Sequence, residues 1–367
     1  MNSYNAETLS LAADIAIWIS VVVFALILVI MVYIFTLRFI LIFGQYRRDR
    51  FINEWSQVLS SVIENKPVTL PGLAKSSLQY FLILWNTLHD VYKYSPDSRS
   101  RLNEVADELD LAEKAEELLF KRGLRRTFLG IMTLGNIGDD RRWQEISEHA
   151  LSSNPMLSLV AVKALFIINP GAAISIFIYL AGYRDDWPRT MAASILNDAG
   201  PEIISQPMVT AIRKESDSRV EKLIPYLVCC DPALAREAAR ERLSSTGNDR
   251  IAGLCLKVLS KYGKAEDAVL VRQYCEHKRW HIRAQAARAL GRVGAREDLV
   301  QLINLLNDSQ WWVRYRAAQA LASLPFIQSD ALEKLRDEQR DRYGKDMLSH
   351  VLAEKAMAET HDPTEYF

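Results

Sequence analysis

Few residues in this sequence have types and spacings that suit catalysis or metal binding. Cys275, His277 and His281 lie close together along the chain and are candidate metal ligands. A structural zinc site needs four ligands, and no fourth one stands at a usable spacing, so we interpret these residues as a turn. The sequence contains no phosphate-binding glycine loop, no nucleophile elbow and no zinc-protease motif. We therefore expect neither enzyme activity nor a bound metal or cofactor.

One stretch of the chain suits binding, because it is rich in arginine and tryptophan. Between Val271 and Arg316 there are nine basic and four acidic side chains. Arg and Trp are over-represented at interface hot spots, and a basic surface attracts an acidic partner or anionic lipid headgroups. The alternative is a solvated helix face whose tryptophans pack between repeats. The candidate partner-binding residues are Arg279, Trp280, Arg283, Arg288, Trp311, Trp312, Arg314 and Arg316.

A long uncharged run near the N-terminus predicts a membrane anchor. No charged residue lies between Ile15 and Leu37, and about 20 such apolar residues span a bilayer as a helix. A cleaved signal peptide is disfavoured, because no basic residue precedes the run and no small-residue cleavage site follows it. The candidate membrane residues are the aromatic anchors and flanking arginines, namely Trp18, Tyr33, Arg38, Tyr46, Arg47, Arg48 and Arg50.

The charges on either side of this run predict its orientation. Basic residues follow the run and none precedes it, which favours an N-terminus outside and all later residues in the cytoplasm. The four cysteines form no C-x-x-C pair, which is typical of a reducing compartment. The formal net charge of zero argues against a dedicated nucleic-acid binder. The pattern indicates a single-pass protein of the bacterial inner membrane.

Helical repeats are the elements that must position the binding stretch. The segment beginning at Ile282 matches the one beginning at Val313, and the offset is 31 residues. Further steps of 31 or 32 residues reach Ile251, Val220, Pro188, Leu157 and Arg126. The eighth residue after each start is aliphatic: Leu134, Leu165, Leu196, Val228, Leu259, Leu290 and Leu321. Each copy is expected to form two helices, and stacked copies bury one continuous core.

Two phrases in this array carry a resemblance to a known family. They read Trp280-His-Ile-Arg-Ala-Gln-Ala-Ala-Arg-Ala-Leu-Gly291 and Trp312-Val-Arg-Tyr-Arg-Ala-Ala-Gln-Ala-Leu321. They resemble HEAT repeats of the short class found in phycobilisome-lyase-like proteins. The resemblance covers roughly residues 123–325 and implies an α-solenoid. It also implies a ladder between repeats, built from an Asp and an Arg six residues apart, which Asp308 and Arg314 match.

The predicted fold class is all-α, with one transmembrane helix followed by an α-solenoid of about seven 31-residue helical-pair repeats. The predicted regions are an extracytoplasmic N-terminus (1–14), a transmembrane helix (15–46), juxtamembrane capping helices (47–122), the solenoid (123–326), C-terminal capping helices (327–360) and a tail (361–367). Charged end helices suit capping, because terminal repeats need a polar outer face. Within the juxtamembrane region, Pro67, Pro71 and Pro96 separate three expected helices: Arg47–Glu64, Leu73–Tyr94 and Ser98–Lys121.

These features favour a membrane-anchored scaffold that binds a protein partner at the cytoplasmic face. The resemblance implies an accessory subunit, for example of a membrane glycosyltransferase or another exopolysaccharide or envelope system. HEAT-repeat iron hydroxylases use His-Glu dipeptides, and this chain has none. The alternative function is a regulatory ligand sensor or a phycobilin-lyase-like pigment-binding protein.

Overall fold

The structure is a computed structural model of the whole chain. It describes the backbone of residues 3–121 and 123–360, and the side chains of residues 18, 23–39, 42, 45–121 and 123–357. Every regular element in these ranges is a helix, so the predicted all-α class is confirmed for them. The chain divides into two compact units, unit 1 (Met1–Ile137) and unit 2 (Gly138–Phe367).

Unit 1 is built from helices around a core of large side chains. The helices are α1 (Ser3–Ile63), α2 (Leu78–Val91), α3 (Pro96–Glu108), α4 (Leu111–Phe120) and α5 (Leu124–Ile137). Trp55 at the C-terminal end of α1 lies edge-on against Phe81 of α2, with ring centroids 4.6 Å apart. The indole of Trp85 is also buried and donates a hydrogen bond to the Leu102 carbonyl at 2.9 Å. The end of α1 is thereby part of this core.

Helix α1 contains the predicted transmembrane segment, residues 15–46. The side chains of residues 15–17, 19–22, 40–41 and 43–44 lie outside the described ones, as do those of the predicted N-terminal region and tail. Within the residues that are described, no helix combines the length and the hydropathy that a membrane crossing requires. The large apolar side chains described between Val23 and Ile42 are exposed.

The single helix predicted over Ser98–Lys121 is wrong, because the structure has two helices there. Helix α3 ends at Glu108 and α4 begins at Leu111. Between them, Asp110 has a φ of +50°, in the left-handed region that aspartate tolerates better than most residues. The apolar periodicity continues across this break, which is why the sequence pattern did not reveal it.

Unit 2 is a series of short helices in pairs. The α-helices are α6 (Trp143–Ala150), α7 (Pro155–Ile168), α8 (Pro170–Tyr183), α9 (Arg189–Ala199), α10 (Pro201–Lys214), α11 (Asp217–Leu223), α12 (Pro232–Ser245), α13 (Asp249–Tyr262), α14 (Ala268–Arg272), α15 (Trp280–Val293), α16 (Leu299–Leu305), α17 (Trp311–Ser323), α18 (Ser329–Glu338) and α19 (Arg342–Thr360). Short 3-10 helices cover Asp140–Arg142, Ile224–Cys229, Ala265–Asp267 and Arg296–Asp298.

Local sequence sets where many of these helices begin. Asn169 and Asp231 cap α8 and α12 with their side-chain oxygens, and a proline follows each cap directly. An Asx residue satisfies orphan backbone N–H groups at a helix start, and proline fits the first helical position because its missing N–H is not needed there. Helix pairs with short connections follow from these signals.

The predicted repeat register holds in most copies. Leu165, Leu196, Leu259, Leu290 and Leu321, at the eighth position of five copies in unit 2, are all fully buried. They form part of the stacked core, so the paired-helix solenoid is confirmed for this unit.

The copy that begins at Val220 departs from the register. Its eighth residue, Val228, is 41% exposed, and Leu227 is buried instead. Helix α11 ends at Leu223 and a 3-10 helix follows, because Pro225 cannot donate the backbone hydrogen bond that continues an α-helix. The tighter 3-10 winding turns Leu227 inwards where an α-helix would have placed Val228.

Helices α13, α15, α17 and α19 lie side by side in one row of unit 2. Helices α15 and α17 approach closely at Gly291. A methyl group at this glycine would lie 2.8 Å from the Ala320 Cα atom. The row therefore presents one continuous outer surface made of equivalent helix positions from successive repeats.

Candidate partner-binding site

Three of the predicted partner-binding arginines are held at the junctions between repeats. The Arg283 guanidinium binds both carboxylate oxygens of Asp308, at 2.6 and 2.8 Å. It also donates to the His277 carbonyl at 2.8 Å. Arg314 makes the equivalent bond, to the Asp308 carbonyl, at 2.7 Å. Arg283 and Asp308 are 16% and 8% exposed, so this pair stabilises the stack and offers little to a partner.

The ionisation of Asp308 reflects this pairing. Burial by itself raises the pKa of a carboxyl group. Hydrogen bonds from Arg283 and the Gln310 N–H, together with the positive charges of Arg283 and Arg314, outweigh that effect and lower the pKa of Asp308. The ladder expected from the Asp308 and Arg314 spacing is thus formed differently: the carboxylate binds the arginine of the preceding repeat, and Arg314 binds the carbonyl.

Two further junction carboxylates, Asp267 and Asp298, are completely buried and were missed in the sequence. Asp298 accepts hydrogen bonds from the Ala295 N–H at 2.8 Å and from Arg272 at 2.7 Å. Asp267 accepts equivalent bonds from the Lys264 N–H and from Arg236. A Gly-x-x-x-Asp pattern repeated after 31 residues is the signal that could have revealed them.

Arg279 and the candidate metal ligands also belong to a junction. Asp249 forms ion pairs with Arg279 and, at 3.3 Å, with the Nε2 atom of His277. Cys275 is buried, and burial raises the pKa of its thiol to about 12. No group of His, Cys, Asp or Glu side chains among the described residues has the arrangement of a metal site. The structure assigns these residues to the connection between α14 and α15.

The predicted tryptophans lie at the N-terminal ends of α15 and α17, where Trp280, Trp311 and Trp312 are all exposed. Trp311 stacks on Tyr315 with ring centroids 5.1 Å apart and an interplanar angle of 16°. Trp311 and Trp312 meet edge to face at 4.7 Å. The tryptophans of α17 thus form an aromatic cluster on the surface.

The two remaining candidates, Arg288 and Arg316, line a groove between α15 and α17. The groove has a volume of ≈ 410 Å³ and is lined by Ser260, Arg288, Gly291, Arg292, Arg316, Gln319, Ala320 and Ser323. No acidic side chain is among these lining residues. Arg316 donates to Gln319 at 2.7 Å, and neither Arg288 nor Arg292 forms an ion pair with any described side chain. The groove therefore concentrates unneutralised positive charge.

Arg292, Ser260 and Ser323 were not predicted as site residues, although a signal for the groove exists in the sequence. Lys257 and Lys261 on α13 are followed 31 residues later by Arg288 and Arg292 on α15. Basic residues that recur at equivalent repeat positions lie on one side of adjacent helices. A stretch-wide charge count could not separate them from the junction arginines.

The candidate membrane residues all lie on α1. Trp18, Tyr33 and Tyr46 are exposed, and so are Arg38, Arg47, Arg48 and Arg50. Arg48 lies 3.3 Å from Asp49 in a surface ion pair.

Comparison with known proteins bears on the C-terminal part of the chain. A family model described as HEAT repeats matches residues 220–322 and 268–343. The matched residues contain HEAT repeats, which generally serve as scaffolds for protein interactions. No curated protein matches this sequence.

Two solved structures are similar to the chain at low identity. An engineered protein is 14% identical, with a TM-score of 0.36, and the match covers 79% of this chain and 86% of that one. Human deoxyhypusine hydroxylase in complex with glycerol is 15% identical, with a TM-score of 0.29, and the match covers 77% of this chain and 99% of that one. Both TM-scores are below 0.5, so neither likeness bears on what this chain does.

Proposed function

We propose that this chain is a scaffold, anchored in a membrane by helix α1, whose unit 2 binds a protein partner. Single exposed apolar side chains are common on protein surfaces, but large contiguous apolar patches mark interaction sites. The apolar side chains described between Val23 and Ile42 are such a patch, with Phe24 66% exposed and Val29 68% exposed. This observation carries the anchoring part of the proposal.

The charges next to this patch support the proposed orientation. Arg47, Arg48 and Arg50 follow the apolar segment directly. Basic residues beside a membrane span stay on the cytoplasmic side, so we place both units of the chain in the cytoplasm of a bacterial cell.

Binding is proposed in preference to catalysis because of the chemistry of the groove. Its described lining offers guanidinium, hydroxyl and amide groups, and these recognise a ligand without supplying a nucleophile or a general base. An anchored scaffold confines its partner to the membrane plane and raises its effective concentration there. The partner class we propose is a membrane-bound enzyme or complex, of which a glycosyltransferase of an exopolysaccharide system is an example that rests on the family resemblance.

The anchor is tested by extracting membranes that contain the full-length chain with sodium carbonate. We expect the protein to stay in the pellet. Replacing Val29 and Ile34 by arginine costs about 2.5–3.5 kcal/mol of insertion free energy per residue, and should release the protein into the supernatant. The matched control, Val29→Leu with Ile34→Leu, should stay in the pellet. Release of the unaltered chain by carbonate would contradict the anchor.

The partner is tested by purification in a mild uncharged detergent followed by mass spectrometry. A stoichiometric integral-membrane enzyme among the co-purified proteins would support the scaffold. A preparation that contains this chain alone, with the anchor intact, would contradict it.

A further inference from the structure

The helices that border the groove carry basic charge almost exclusively. Helices α15 and α17 contain no acidic residue, and the one in α13 is Asp249 at its first position. The exposed or half-exposed basic side chains that these helices share at equivalent positions are Lys257, Lys261, Arg288, Arg292 and Arg316, and we refer to them as the cationic face. Like charges at such spacing repel one another, so the face is held together by the buried core and favours an anionic ligand.

We propose that the cationic face binds an extended acidic segment of a polypeptide partner. The proposal rests on the scaffold function and specifies the chemistry of its partner. Arginine presents a planar fork of N–H donors that matches a carboxylate in a bidentate geometry. Arg288 and Arg292 have these donors available, because neither is in an ion pair with a described side chain.

The floor of the groove suits a main chain that lies along it. Gly291 and Ala320 form the floor, where helices α15 and α17 meet without large side chains. The Ser323 hydroxyl donates to the Ala320 carbonyl at 2.8 Å, which leaves its oxygen as an acceptor for a ligand N–H. Small floor residues and hydroxyl groups allow a backbone to approach closely.

The spacing of the face specifies how the acidic residues should be arranged. Packed helices lie about 8–10 Å apart, whereas side chains on one side of an extended chain repeat after about 7 Å. One isolated carboxylate therefore cannot contact both α13 and α17. A run of acidic residues, with at least one carboxylate for each helix, can contact the whole face.

Polypeptide is favoured over nucleic acid by the state of the aromatic cluster. Proteins that bind single strands stack bases on free aromatic faces. Trp311 and Tyr315 already stack on each other, and Trp312 meets Trp311 edge to face. The chain also has no overall excess of basic residues, since Lys plus Arg and Asp plus Glu both number 45.

Polypeptide is favoured over a lipid surface by the recess between the helices. The groove floor lies between α15 and α17, and a flat bilayer surface would meet the rim first. At the α19 side the face ends at Glu354, which accepts a hydrogen bond from the Tyr315 hydroxyl at 3.0 Å. A carboxylate at this edge would disfavour a continuous anionic plane.

The test uses the full-length protein in dodecyl maltoside and a fluorescein-labelled peptide of eight glutamates. Binding is followed by fluorescence anisotropy at low and high salt. The variant Arg288→Glu with Arg292→Glu should weaken binding about tenfold or more, because it reverses charge where the carboxylates are held. The matched control, Lys278→Glu with Lys345→Glu, changes two exposed cations outside the face by the same charge and should alter affinity by less than about threefold.

A second variant separates charge from geometry. Arg288→Lys with Arg292→Lys retains both charges but loses the planar forks, so an intermediate loss of affinity is expected. All these positions are exposed, and equal melting temperatures would show that the fold is retained.

Three outcomes would overturn the proposal. They are equal binding by the groove variant and the control, tighter binding of a twelve-nucleotide oligothymidylate than of the peptide, or a groove-dependent binding of phosphatidylglycerol vesicles in place of the peptide. None of them touches the carbonate extraction or the co-purified partner, so the scaffold function can survive the loss of this proposal. Release of the chain by carbonate with peptide binding intact would have the opposite meaning.

Discussion

Trp55, Phe81 and Trp85 fill the centre of unit 1, whereas glycine and alanine fill the contact between α15 and α17 in unit 2. Large rings fill the irregular space of a bundle whose helices differ in length. Small residues let equal helices approach closely, and the same contact can then recur with every repeat. The difference teaches that the repeats gain their order from close backbone approach more than from large buried side chains.

The two regions also treat buried polar groups differently. In unit 1, His89 is buried beside Trp85, at 4.1 Å between ring centroids, and neither of its ring nitrogens has a hydrogen-bond partner among the described residues. In unit 2, the buried carboxylates of Asp267, Asp298 and Asp308 bind both backbone N–H groups and arginines. Unit 2 should therefore depend on its buried polar groups, and unit 1 should tolerate losing its histidine.

The largest expected effect is at the paired carboxylate. Asp308→Ala should lower the free energy of unfolding by about 3–5 kcal/mol, because Arg283 loses its partner and the Gln310 N–H its acceptor. The measurement is urea unfolding followed by circular dichroism. Asp185→Ala, which removes a largely exposed partner of Lys222, should change stability by less than about 1 kcal/mol. Equal losses in the two variants would break the contrast.

The next effect is a pH dependence that should be confined to unit 1. Burial, reinforced by the Arg99 charge and opposed by Asp90, lowers the pKa of His89 to about 4. The unfolded state therefore takes up the proton first, so stability is complete above pH 6.5 and falls as the pH drops towards 4. The loss should total roughly 3 kcal/mol.

His89→Phe should remove this dependence and leave stability at neutral pH equal or higher, because no unpaired nitrogen remains buried. Urea unfolding at pH 7.5, 5.5 and 4.5, followed by tryptophan fluorescence, measures both properties. An unchanged pH slope in the variant would show that other groups cause it.

A smaller effect tests the close helix approach. Gly291→Ala should cost about 1–3 kcal/mol, because the new methyl group would lie 2.8 Å from both the Ala320 Cα and the Ser323 Oγ atoms. Gly253→Ala is the matched control, since its methyl group would meet only the flexible end of Ile282 at 3.1 Å. The control should be neutral or stabilising, because alanine favours a helix by about 1 kcal/mol over glycine. Melting temperatures that rank the two variants the other way would refute the close approach.

The smallest effect concerns the arginines of α15. Arg288→Ala should change the free energy of unfolding by less than about 0.5 kcal/mol, because the side chain is exposed and unpaired among the described residues. Arg283→Ala, five residues earlier, should be clearly destabilising, because Asp308 remains buried without its partner. Differential scanning fluorimetry suffices to compare them, and a destabilised Arg288→Ala would assign that residue to the stack.

The repeat register could be predicted from the sequence because apolar periodicity records burial directly. Leu290 and Leu321 lie where the 31-residue period puts them. The copy at Val220 could have been read better, since Pro225 interrupts its helix and changes which residue faces the core. The left-handed turn at Asp110 left no trace in the apolar pattern.

The candidate site was harder to predict because arginines of one short stretch have two roles. Arg283 and Arg314 are bound at junctions, and Arg288 and Arg316 line the groove. Which arginine meets Asp308 depends on the geometry of the loop between α16 and α17, and a charge count contains no such information. The buried Asp298 was missed for the same reason, because its role exists only once the loop is folded.

Helix α1 is continuous from Ser3 to Ile63, so its apolar segment and the core residue Trp55 belong to one stiff shaft. Between Ile42 and Trp55 this shaft is roughly 20 Å long, at about 1.5 Å per residue. The azimuth of the apolar segment about the helix axis therefore fixes the azimuth of Trp55. Adding one residue after Tyr46 would twist one end against the other by about 100°, while adding seven would nearly restore the phase and lengthen the shaft by about 10 Å.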